Sequence, residues 1–277
     1  MKKPLLDVIY ASEKRKGSLL LLKDGPKEME FLLRSLSTTR QALLPQLKVL
    51  EGHHLISHSR DTYCLTTIGK LIVVKMSSLL NTVNTFDTDI DYWGTHNLSF
   101  IPSPLLEKIN ELKKCALITP SITEFFDAVE NIHPITITSP GIFDTFNKAT
   151  MESKFYGTFT TFLNPTVQSV ISQMLDNGVN VNFIITKSLF DIIQTKEYEF
   201  FAEFLRSHLF HFYIYPEGID VLSFAYNNHY FILRLLKQTG EYESKYIFCS
   251  DPRSIEWAKE LFNYYLERSK PVTEGWF

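Results

Sequence analysis

Nowhere in this chain do apolar residues run on for the roughly 18 positions that a bilayer-crossing helix needs, so no membrane span is expected. The opening Met1-Lys2-Lys3-Pro4-Leu5-Leu6-Asp7 starts like a signal peptide, but Asp7 and the run Glu13-Lys14-Arg15-Lys16 interrupt any apolar stretch. A soluble protein without a secretion signal is the expectation. Cysteine is scarce as well: Cys64, Cys115 and Cys249 are odd in number, far apart and in no C-x-x-C pair. That spacing argues against a disulfide framework and against a zinc site, and it points to a reducing cytoplasm. Also missing are G-x-G-x-x-G, G-x-x-x-x-G-K-[ST], G-x-S-x-G and H-E-x-x-H, the common signatures of phosphate binding, hydrolysis and zinc proteolysis. No enzyme and no cofactor is therefore expected. His208 and His211 stand three apart, a spacing that would suit a metal pair on a helix. They lie in a strand-like run, where that spacing sends them to opposite faces, so they are read as structural or surface residues.

What is present is enough for a packed protein: 44% of residues are hydrophobic and 14% aromatic, unlike the polar composition of disordered chains. At 277 residues the chain exceeds a typical domain of roughly 100–200 residues, which favours a small module beside a larger one. Charge divides the same way. Residues 1–75 hold thirteen Lys or Arg against seven Asp or Glu, a balance of +6, and the remainder carries −9. Basic charge gathered in one small module is the footprint of a nucleic-acid binder, and an acidic body would keep a polyanion on that one face.

The first 85 residues read as a winged helix-turn-helix. Leu5, Leu6, Val8, Ile9 and Leu19 to Leu22 suggest one helix that stops at Asp24-Gly25-Pro26. Pro26 suits the first turn of a second, Lys27 to Leu33. After a turn at Leu36-Ser37, Ser37 or Thr38 can cap a third that runs to about Leu50 with Leu43, Leu47 and Leu50 inward. Pro45 lies inside that helix, where a kink is expected. His54 to Ser57 and Thr62 to Leu65 would form a hairpin around His58 to Asp61, the wing, and Thr66 or Thr67 would cap a long fourth helix suited to dimerisation. The start of the third helix offers Thr38, Thr39, Arg40 and Gln41 to the major groove; Lys48, His58 and Arg60 would meet the DNA backbone. Base chemistry supports the choice, because Arg pairs bidentately with guanine and Gln with adenine.

A Thr- and Asp-rich linker is expected over 86–104, then an α/β domain with a mixed sheet over 105–277. Ser121-x-x-Glu124 is a capping box opening a helix with Phe125, Phe126 and Val129. Tyr156 to Phe162, Val167 to Leu175 and Val179 to Ile185 read as β-α-β with Asn164-Pro165 starting the helix and Gly178 ending it. Further strands are expected at Leu209 to Tyr215, Val221 to Tyr226, Tyr230 to Leu236 and Tyr246 to Cys249, and a helix from Asp251-Pro252 to about Arg268. Phe159, Phe162, Tyr213, Tyr215 and Phe224 are candidates for lining a small-effector pocket, against the simpler alternative that aromatic runs are core.

Several stretches, Leu20-Leu21-Leu22-Lys23-Asp24-Gly25-Pro26, Leu44-Pro45-Gln46-Leu47-Lys48-Val49-Leu50-Glu51, Tyr63 to Leu71, Asp91-Tyr92-Trp93 and Ser254 to Phe262, carry a resemblance over nearly the whole chain. The sequence resembles archaeal winged-helix transcription regulators with a methanogenesis-regulatory-protein middle domain, of the filament-formation regulator type. The resemblance implies a methanogen regulator whose C-terminal domain responds to a signal or mediates assembly, and it makes Pro45 an ordinary feature of its helix. Such α/β domains can be similar to phospholipase D halves, yet that activity needs H-x-K, and none of the eight histidines is followed by it. The expectation is a homodimeric regulator of double-stranded DNA, with a possible small-molecule effector and no membrane partner. The alternative is a winged helix that docks protein rather than DNA.

Overall fold

The computed structural model describes residues 3–119, 141–164, 166–196 and 199–276. The Ser121 to Glu124 capping box with its helix, and Pro165, lie outside them. The chain is α+β and falls into two compact units, Met1–Val83 and Asn84–Phe277.

Unit 1 begins with α1 (Leu5–Tyr10) and α2 (Glu13–Leu21), where a single helix was expected. The break comes at Ser12, whose extended backbone lets its hydroxyl accept the Arg15 N–H and start a new helix. After a 3-10 turn, Gly25 at φ 113° turns the chain into β1 (Lys27–Glu28). The second helix was expected to include these two residues. They pair with a later strand instead, and α3 (Met29–Ser35) starts beyond them. Then come α4 (Arg40–Gly52), β2 (Ile56–Ser59), β3 (Thr62–Leu65) and α5 (Thr67–Phe86), with the strands in the order β1-β3-β2. Val8, Leu19, Met29, Leu32, Leu43, Leu47, Leu50, Leu55 and Tyr63 close one core beneath them.

In unit 2 the region expected to be a linker, 86–104, is part of the core. α6 (Ile90–Thr95) and α7 (Ser103–Leu106) bury Tyr92, Trp93 and Leu105, and Phe100 and Ile101 between them are buried as well. The Asp and Thr residues that suggested solvent serve as caps: the Asp89 carboxylate accepts the Tyr92 N–H at 3.0 Å.

The body of unit 2 is an eight-stranded mixed sheet. It is built from β4 (Ala116–Ile118), β5 (Phe155–Thr160), β6 (Asn180–Thr186), β7 (Phe210–Tyr215), β8 (Val221–Tyr226), β9 (Phe231–Leu235), β10 (Tyr246–Cys249) and β11 (Lys270–Pro271). The order is β11-β7-β6-β5-β8-β9-β10-β4, parallel only from β5 to β6 and from β6 to β7. Among the described residues, five more helices belong to this body: α8 (Ile142–Ser153), α9 (Val167–Asp176), α10 (Lys187–Lys196), α11 (Glu199–Phe204) and α12 (Pro252–Leu266). β5, α9 and β6 are the expected β-α-β unit, and Gly178 at φ 72° supplies the left-handed turn between helix and strand.

Alternation along the strands sends side chains to two faces. Phe159, Ile184, Phe224 and Leu233 meet Trp257, Leu261 and Tyr265 of α12 on one face, while Val181, Phe183, Phe212 and Ile185 meet Ile171, Phe190 and Phe201 on the other. Three hydrogen bonds to backbone carbonyls help lock the 100–111 segment onto α12: Trp257 Nε1 donates to the Leu105 carbonyl at 3.0 Å, Ser254 Oγ to that of Glu111 at 2.7 Å, and the Tyr265 hydroxyl to that of Phe100.

The disulfide framework dismissed on spacing is present once. Cys115 and Cys249 are bonded, 134 residues apart. Register explains it: Phe248 pairs with Ala116, so the next pair outward is Cys249 with Cys115, and their Cα separation of 4.4 Å is that of a non-hydrogen-bonded antiparallel pair. Replacing both cysteines with alanine removes a covalent closure of a long loop; on the chain-entropy account a loss of up to about 5 kcal/mol is expected, read as a lower unfolding midpoint of unit 2 in urea.

Asp251 caps α12, accepting the Arg253 N–H at 3.1 Å and the Lys114 ammonium at 2.6 Å. The lysine first, then the helix amide, holds its carboxyl below the ordinary aspartate range. A depressed folded value means the stabilisation is present above the unfolded pKa and is lost as pH falls through the folded one. Asp251→Asn is therefore expected to lower stability at neutral pH and to flatten its acid limb, measured by urea unfolding across pH; an unchanged limb would refute the assignment.

Candidate nucleic-acid interface

The basic and hydrogen-bonding groups that the sequence offers to a nucleic acid sit at the turn before α4, on α4 and on the β2–β3 hairpin. α3 ends at Ser35; Ser37 takes φ 45°, and the Thr38 N–H bonds back to the Leu33 carbonyl at 3.1 Å. Thr39, rather than Ser37 or Thr38, caps α4: its hydroxyl accepts the Ala42 N–H, so Arg40 and Gln41 are the first two helical residues. Thr39, Arg40 and Gln41 are exposed and Thr38 is half-buried.

Along α4, Leu43, Leu47 and Leu50 are buried at i, i+4 and i+7. Gln41, Pro45 and Lys48 repeat that spacing on the other side and are exposed. The helix runs unbroken through Pro45, which lies on this solvent side, where the carbonyl of Gln41 that it leaves unbonded can be hydrated.

The hairpin is tighter than expected. Its strands reach Ser59 and Thr62, so the turn is Arg60-Asp61, with Arg60 exposed at φ 59° and His58 on a strand. β1 extends it, and the Asp61 carbonyl accepts the Met29 N–H at 3.1 Å. At its base Gly69 is indispensable, because a Cβ there would lie 2.0 Å from the Leu55 carbonyl oxygen. Thr66 completes this joint, donating to the His54 carbonyl at 2.6 Å and accepting the Gly69 N–H at 3.0 Å.

Two carboxylates that sequence reading passed over meet the proposed contacts. Asp61 Oδ1 lies 2.6 Å from Arg40 Nη2, and Glu51 Oε1 lies 2.8 Å from His58 Nδ1. Tyr63, buried between them and stacked with the His58 ring at 5.3 Å, has its phenol pushed up, by burial first and by Asp61 second. A carboxylate in a basic turn was the available signal for Asp61; nothing local marked Glu51. Arg15 was missed as well: it reaches Gln46 Oε1 at 2.7 Å and the Val8 carbonyl, tying α1 to α4.

The aromatic candidates in unit 2 are spread between the core and the surface. Phe159 and Phe224 are fully buried and stacked at 5.7 Å, and Tyr215 and Tyr265 close over Phe159 at 5.8 and 5.0 Å. These three candidates pack ring on ring inside the core. Phe162 is half-buried beyond the end of β5. Tyr213 borders a shallow depression of 310 Å³ with Leu205, His211 and Val272. His208 precedes β7 and His211 lies on it; among the described residues no cluster of metal-ligating side chains occurs, and no helix is long and apolar enough to cross a membrane.

Residues 5–84 match the family model described as "Methanogenesis regulatory protein FilR1, N-terminal domain", and residues 139–268 that of its middle domain. The protein named Methanogenesis regulatory protein FilR1 from Methanothrix harundinacea (strain 6Ac) is 23% identical over 274 residues, covering 97% of this chain. The chain spans 58% of that relative's length. Among solved structures, TrmBL2, described as an archaeal chromatin protein with a novel mode of DNA binding, aligns over 97% of both chains at 13% identity and a TM-score of 0.38. Nuc, a phospholipase D family member from Salmonella typhimurium, aligns over 48% of this chain and 92% of its own at 11% identity and a TM-score of 0.35. At such scores neither likeness bears on fold or function here. With two domain models of one protein matched in order, and a relative of that name aligned over nearly the full length, the chain belongs to the family of the methanogenesis regulatory protein FilR1.

Proposed function

We propose that unit 1 is a winged helix-turn-helix and that the chain is a sequence-specific regulator of transcription binding duplex DNA. One observation carries the reading: the exposed first turn of α4, Thr39-Arg40-Gln41, stands beside a hairpin whose tip is the exposed Arg60, on a segment of charge +6. α4 would be the recognition helix, with Arg40 and Gln41 at base edges and Thr38, Thr39, Lys48, His58 and Arg60 at phosphates. The FilR1 relationship supports regulation as the setting.

We also infer that the chain works as a homodimer through α5. Beside its buried stripe, α5 exposes Ile68, Leu71, Leu79 and Val83, more apolar surface than a solvent-facing helix usually shows. Lys75, exposed among these residues, can carry its amine outward on its four-carbon stem. A two-fold pair would set two α4 helices about 34 Å apart, one turn of duplex, and would match a palindromic site. Signal sensing or assembly by unit 2 remains the family's implication.

Binding of the full chain to its own upstream DNA, against random duplex over a salt series, tests the reading. A clear preference for the upstream DNA is expected, with log affinity falling by about 0.9 per phosphate contact for each log unit of salt. Arg60→Ala should reduce that slope by about one, and Arg40→Ala should reduce the preference instead. Absence of binding even at low salt, with unit 1 folded, would sink it. For the dimer, Leu71→Glu with Leu79→Glu should leave folding intact, since both side chains are exposed, and should convert a dimer to a monomer in light scattering with loss of the two-half-site preference. A monomeric wild type that binds one half-site would exclude the α5 pairing.

A further inference from the structure

We propose that Asp61 is a positioning residue that holds the Arg40 guanidinium for bidentate recognition of guanine, and so sets base preference at one position of each half-site; this rests on the DNA-binding reading above. The observation is a cross-element pair: Arg40 on the first helical position of α4 and Asp61 at the hairpin tip, 21 residues apart, with Nη2 to Oδ1 at 2.6 Å.

Three features make this carboxylate an anchor. Its backbone is fixed from both sides, since its carbonyl accepts the Met29 N–H at 3.1 Å and the next residue, Thr62, is in register with both Glu28 and Ser59. The residue before it, Arg60, takes the left-handed region, φ 59°, closing the two-residue turn that sets Asp61 at the tip. Only the Nη2 donor meets the carboxylate among the contacts of Arg40, and a guanidinium has five N–H groups in a rigid fork. A free edge therefore remains, and two parallel N–H donors on one edge match O6 and N7 of guanine in the major groove. A long flexible side chain held at one edge has less rotational freedom to surrender on binding, which sharpens discrimination rather than adding a contact.

The competing account is simple charge compensation, in which Asp61 only weakens the field of Arg40 and repels phosphate. The molecule contains its own control. Glu51 pairs with His58 at 2.8 Å, and Glu51→Gln removes the same single negative charge without touching Arg40. Asp61 and Glu51 are each about half exposed, so neither substitution opens the core.

The experiment is selection from a random duplex library, followed by titrations of the selected and guanine-substituted sites over a salt series. The proteins are the full-length wild type, Asp61→Ala, Asp61→Asn, Arg40→Ala and Glu51→Gln. Wild type should select a guanine that Arg40→Ala ignores. Asp61→Ala should lower the preference for that guanine about tenfold, the scale of one bidentate base contact, with the salt slope unchanged. Asp61→Asn, which keeps an acceptor oxygen, should recover most of it, and Glu51→Gln should leave it alone. An undiminished guanine preference in Asp61→Ala would overturn the proposal. So would tighter binding to every duplex with a steeper salt slope in both Asp61→Ala and Glu51→Gln, which is the signature of charge compensation. If the wild type itself selects no sequence, the DNA-binding reading fails, a result separable from the failure of Asp61 alone.

Discussion

Burying Leu43, Leu47 and Leu50 along one side of α4 decides which of its residues can meet a partner. A helix repeats its faces at three and four residues, so once those leucines seal the core, Gln41, Pro45 and Lys48 have to face outward. The same burial fixes the hairpin, because Ile56, Tyr63 and Leu65 reach into that core from its two strands, the first of which begins four residues after the helix ends. Losing one of the leucines to alanine would cost about 2–5 kcal/mol, a large share of what a unit of this size has to spare. Packing energy and surface chemistry thus share a single helix.

Unit 2 solves a different problem, a wide sheet that needs cover on both faces. Helices α9, α10 and α11 cover one face, but on the other α12 is joined by the 86–112 segment, whose Tyr92, Trp93, Phe100, Ile101 and Leu105 complete the cluster around Trp257. Aromatic side chains carry much of this packing, and the hydrogen bonds of Trp257 and Tyr265 to backbone carbonyls satisfy their polar ends inside it. The cost of an unpaired polar group in such a place explains why those bonds reach to a segment so far away in sequence.

Local patterns were legible and pairings were not. β8 and β10 run as their β-branched and aromatic residues indicated, Val221–Tyr226 and Tyr246–Cys249, and the β-α-β unit was readable because Gly178 marks its turn. β1 was invisible because two residues, Lys27 and Glu28, become a strand only by pairing with β3. The Cys115–Cys249 bond was missed for the same reason, since it depends on the β4–β10 register and not on spacing. The buried 86–104 segment was misread from its Asp, Thr and Pro residues: Pro102 and Pro104 start α7, and the apolar residues between the polar ones decided the outcome. At the candidate interface the exposed cations were readable from residue type, whereas their carboxylate partners required the hairpin to be folded against α4.

The end strand β11 has consequences for how copies of this chain can join. It is two residues long, and one of them is Pro271, which has no N–H to offer a neighbour, while the other is the exposed Lys270. A sheet finished in this way gives an incoming strand neither a full ladder nor an uncharged approach. Lateral growth of the sheet by strand pairing is therefore disfavoured at β11.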